Sequence, residues 1–77
     1  MQRKENNMAE EKMLEQAAAD IEKRIKTALI DHGMTQVQLA DLLNLSPQWV
    51  NRAIKGQNTP KAINIRKKIY KVLGLDD

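Results

Sequence analysis

Residues 35–56, TQVQLADLLNLSPQWVNRAIKG, constrain the fold more than any other part of this chain. Within them Val37, Leu39, Ala40, Leu42 and Leu43 recur at three- and four-residue spacings that give a short helix one apolar face. Thr35 stands just ahead of that helix, where a hydroxyl accepts from the unpaired amides of the first turn. A second start signal follows directly. Ser46 is a good N-cap, and Pro47 fills the first helical position, where a missing amide hydrogen costs nothing. The second helix turns Val50, Ala53 and Ile54 inward and Gln48, Asn51, Arg52 and Lys55 outward, until Gly56 stops it. Two short helices joined by a tight, capped turn make a helix-turn-helix unit.

The flanking sequence is helical too. Residues 1–8 are polar and aperiodic and are expected to be disordered. From 9 to 32 nothing interrupts a helix, and Leu14, Ala18, Ile21, Ile25 and Ala28 recur at alternating four- and three-residue steps, with Ala17 and Leu29 widening the stripe. Gly33 supplies the left-handed residue that ends it. His32 beside it reads as a cap that interacts with the helix dipole. After Gly56, Thr59 caps and Pro60 opens a last helix with Ile65, Ile69, Val72 and Leu73 inside and Arg66, Lys67, Lys68 and Lys71 outside. Gly74 ends this helix, Leu75 folds back, and Asp76 and Asp77 fray. The expectation is an all-α, compact four-helix domain over 9–77, with helices at about 9–32, 36–43, 47–55 and 60–73.

Composition narrows what such a domain can do. At 77 residues it has room for one small core and not for a large cleft. With no cysteine and only His32 for imidazole, neither a disulfide framework nor a metal site is expected. No paired carboxylates, no nucleophile with a base and no phosphate-cradling loop can be found, so no catalytic residues, no cofactor and no small-molecule ligand are assigned. Asp31 and His32 are adjacent, and neighbours on a helix point apart. No apolar run approaches a membrane span, and there is no secretory leader, so the default location is cytoplasmic.

Charge points to a partner. Residues 1–34 carry six basic and seven acidic side chains, whereas residues 35–77 carry seven basic and three acidic ones. Between 46 and 75 there is no Asp or Glu, while Arg52, Lys55, Lys61, Arg66, Lys67, Lys68 and Lys71 all fall there. A positive surface of this kind attracts phosphates through counterion release, although Lys and Arg also serve solubility. Gln48 and Arg52, four apart on one helix face, suit adenine and guanine edges in a major groove, and Asn51 suits either a base or a phosphate. Trp49 lies between a reader and a core residue and is expected to be partly buried; its indole N–H is alternatively a donor to a phosphate.

Residues 25–75 resemble the Cro and lambda-type repressor family of helix-turn-helix domains. The likeness is carried by Gly33-Met34-Thr35-Gln36, Leu39-Ala40, Leu45-Ser46, Val50, Gly56 and Val72-Leu73-Gly74-Leu75. The resemblance implies a lambda-repressor-like fold with an extended N-terminal helix, double-stranded DNA as partner, and transcription regulation of the small repressor type. It also implies that the helix at 47–55 enters the major groove, with Gln48, Asn51 and Arg52 at the bases. Thr35, Gln36, Ser46, Trp49, Lys55, Asn58 and Lys61 would then lie along the phosphate backbone. Family members often carry an arginine and a glutamate, paired across helices, at the positions of Leu29 and Ile54. Here both are apolar and are expected to touch. Pro47 also stands where many members have a polar reader.

The long first helix is not explained by DNA. Leu14, Ala18 and Ile21 fit a homodimer seam, and Leu73 and Leu75 offer a second one that the family suggests. The competing reading is a protein-binding module, an antitoxin or adaptor that docks through this amphipathic helix.

Overall fold

The computed structural model describes residues 2–75, and side-chain surroundings from Glu10 onward. Four helices follow one another: α1 (Gln2–Asp31), α2 (Gln36–Leu43), α3 (Pro47–Ile54) and α4 (Pro60–Leu73). Among the described residues there is no strand. Helix α1 begins at Gln2 rather than near residue 9, so residues 2–8 of the segment expected to be disordered are helical. The stretch from Gln2 to Asp31 contains no Gly or Pro, and once a helix is nucleated each further residue adds a hydrogen bond. The expected fraying of Asp76 and Asp77 concerns residues outside those described.

Each short helix has a hydroxyl at its start. Thr35 Oγ1 accepts from the Gln38 amide at 3.1 Å while the Gln38 side chain accepts from the Thr35 amide at 2.9 Å, a reciprocal capping box. Ser46 Oγ accepts from the Trp49 amide and Thr59 Oγ1 from the Ala62 amide, each at 3.3 Å. The ends of α2 and α3 differ in how they close. Asn44, at φ +55°, terminates α2 in the left-handed region, where its short polar side chain is tolerated, and the Leu45 amide donates to Ala40 O at 2.9 Å.

The core draws on all four helices. Ile25, Ala28 and Leu29 from α1 meet Leu39 and Ala40 from α2, Val50, Ala53 and Ile54 from α3, and Ala62, Ile65, Ile69 and Leu73 from α4. Leu29 and Ile54 are both buried in this cluster.

Two expected inward positions on α2 are corrected. Val37 and Leu42 are 58% and 59% exposed, whereas Leu39 and Ala40 are buried. At about 100° per residue, Val37 and Leu42 fall on opposite flanks of the arc that holds Leu39, Ala40 and Leu43. Val72 is likewise exposed at the edge of the α4 stripe.

The end of α4 is tied to α1. Arg24 Nη2 donates to Leu75 O at 3.2 Å, and its guanidinium lies 5.7 Å from the Tyr70 ring centre. His32 does not cap its own helix as expected. Its Nε2 lies 3.1 Å from Leu73 O, so the imidazole reaches across to the last carbonyls of α4.

Candidate nucleic-acid interface

Helix α3 is held on one side and open on the other. Val50, Ala53 and Ile54 are fully buried, while Gln48, Asn51, Arg52 and Lys55 are exposed. The buried set fixes the rotation of the helix about its axis, so the exposed set has a defined direction. Ser46 and Thr35 are exposed, and each hydroxyl oxygen accepts a cap bond, which leaves its O–H hydrogen available to another acceptor. Gln36 is half-buried at the first position of α2; Asn58 and Lys61 are exposed in and just after the α3–α4 loop.

Trp49 is half-buried against the core, as expected, and carries two cations. The Arg52 guanidinium carbon lies 4.9 Å and the Lys61 ammonium 4.2 Å from the indole ring centre. Glu22 of α1 lies within electrostatic reach of Lys55. The Lys26 ammonium, 2.9 Å away, holds its carboxyl below the ordinary range, with Lys55 adding a weaker pull in the same direction.

The C-terminal end of α3 is secured by a residue that sequence reading placed outside. Arg66 is only 8% exposed and donates from Nη1 to Ala53 O at 2.9 Å and to Gln57 O at 3.2 Å. It therefore satisfies carbonyls that end α3 and begin the loop, with a positive charge at the negative pole of the helix. The signal was present in the spacing: Arg66 is four residues after Ala62 and three before Ile69, on the flank of the buried arc of α4 next to Leu73.

A helix-turn-helix family model matches residues 25–75. The chain belongs to the Cro/C1-type helix-turn-helix family. No curated protein and no solved structure matches it. The family is one of DNA-binding regulatory domains, not of enzymes. In this helix-turn-helix chain no helix among the described residues is long and apolar enough to cross a membrane.

The five residues considered for a dimer seam separate into different environments. Leu73 is buried in the chain's own core and is not available to a partner, which corrects its assignment. Leu75, Ile21 and Ala18 are half-buried, the first two against that core, and Ala18 against the α3–α4 turn. Leu14 is 65% exposed, next to Met13 at 72%.

Proposed function

We propose that this chain is a sequence-specific double-stranded DNA-binding transcriptional regulator of the small repressor type, with α3 lying in the major groove. The observation that carries this reading is the division of α3 into a fully buried side and an exposed side of Gln48, Asn51 and Arg52, inside a stretch from 46 to 75 with no acidic residue. Arg52 suits the O6 and N7 of a guanine and Gln48 the N6 and N7 of an adenine. Asn51 is a third reader. Ser46, Thr35, Gln36, Trp49, Lys55, Asn58 and Lys61 are proposed to hold the phosphate backbone on either side, and binding acts by occupying an operator.

The test is selection from a random duplex pool followed by titration of the enriched sequence at increasing salt. Affinity is expected to fall by at least about tenfold between about 50 and 200 mM salt. Arg52→Ala is expected to relax preference at one base pair by about 1–3 kcal/mol while leaving the others. A chain that enriches nothing and binds no duplex in dilute buffer would remove the reading.

A homodimer on a palindromic site belongs to the same proposal, with recognition helices about 34 Å apart. Support comes from the apolar side chains of Met13 and Leu14 left uncovered on α1. Sedimentation should give twice the chain mass for the wild type and a single chain for Leu14→Glu, because a charge in that seam would have to be desolvated. Equal, monomeric masses would instead favour a different protein as the partner of α1.

A further inference from the structure

The indole of Trp49 joins two groups that approach DNA from different helices. Trp49 and Arg52 are three apart on α3 and so are neighbours on its surface, whereas Lys61 comes from the first turn of α4. Both cations lie within 5 Å of the same ring centre, and the ring is itself anchored against the core. A guanidinium that stacks by its face keeps its in-plane N–H donors free, and those donors are the ones that grip a guanine edge in two parallel bonds. An arginine without such a platform enters the groove with its rotamers unfixed and loses that freedom on binding.

We propose that Trp49 is a positioning residue for specificity: its indole holds Arg52 in the orientation that reads a guanine, and registers Lys61 on a phosphate beside it. This rests on the DNA reading above. It goes beyond the phosphate contact proposed for Trp49 above, which alone would strengthen binding to every sequence alike. It differs also from a purely packing role, which would lower stability and leave base preference untouched. On this view the stringency at one G·C pair is set by a residue that need not touch the base.

The experiment is a double-mutant cycle with Trp49→Leu and Arg52→Ala, measured on the duplex enriched by the wild type and on variants changed at single base pairs. Arg52→Ala identifies the pair that Arg52 reads. Trp49→Leu is expected to lose about tenfold discrimination at that same pair and little at the others. The double variant should lose no more discrimination than Arg52→Ala alone. Trp49→Phe, which keeps an aromatic face, should retain most of it and guards against a leucine variant that folds poorly. A third measurement needs no DNA: Trp49 is the single tryptophan, so acrylamide quenching of its emission should rise when Arg52 and Lys61 are both replaced by alanine. Additive losses in the cycle, an equal loss at every base pair, or unchanged quenching would overturn the assignment while leaving the DNA reading intact. A wild type that enriches no sequence would overturn both.

Discussion

Gly56→Ala is expected to destabilise the domain by about 2–5 kcal/mol, read as a lower midpoint in urea or heat. Two causes add. Gly56 has φ +84°, where an L side chain is strained by about 1–2 kcal/mol. A Cβ at this position would also lie 2.8 Å from Ala18 Cα and 2.9 Å from Ala18 Cβ, so α1 or the turn must move, at a further cost of about 1–3 kcal/mol. The two causes can be separated. Ala18→Gly removes the methyl but not the backbone atom at 2.8 Å, so the double variant should recover only part of the loss. Full recovery, or a loss below about 1 kcal/mol in Gly56→Ala, would contradict this account.

Arg66→Met comes next, with an expected loss of about 2–3 kcal/mol. Methionine keeps much of the apolar stem but leaves Ala53 O and Gln57 O without their charged donor, and bonds from charged groups contribute about 1.5–3 kcal/mol each. Relief of the buried guanidinium from desolvation offsets part of that sum. The readout is urea unfolding together with amide exchange. Protection should fall most at the C-terminal end of α3 and in the loop after it, because those are the segments Arg66 fastens. Arg66→Lys, which retains a charge and one donor direction, should fall between wild type and methionine. A methionine variant as stable as wild type would show that the buried arginine is dispensable.

The helical frame of this protein was legible because its punctuation is local. Thr35, Ser46-Pro47, Thr59-Pro60 and Gly74 each mark a helix end by their own chemistry; α2 and α3 start, and α4 starts and stops, where those residues put them. The buried side of α3 was legible as well, since Val50, Ala53 and Ile54 stand at helical spacing. Arg66 was misplaced because residue type was allowed to outweigh position. It falls on the buried arc, and its partners are backbone carbonyls of α3 and of the loop after it, which no pattern along α4 announces. Val37 and Leu42 failed for the opposite reason, apolar type without a central position. The contact of Ala18 with Gly56 depends on how two segments cross in space, and the only local trace is that both residues are small. The stacking of Arg52 and Lys61 on Trp49 is legible in half: the three-residue step on α3 is in the sequence, the approach of Lys61 from α4 is not.

Helix α3, the proposed DNA-reading element, is eight residues long. That is below the roughly 12–15 residues at which an isolated helix becomes even marginal in water. A peptide excised from this region would therefore be a coil, without the fixed division into buried and exposed sides that α3 has in the domain. On the proposed function, affinity for DNA and the folding equilibrium are one linked system: warming that melts the four-helix assembly would erase binding at the same temperature, and excess duplex would raise that temperature by mass action.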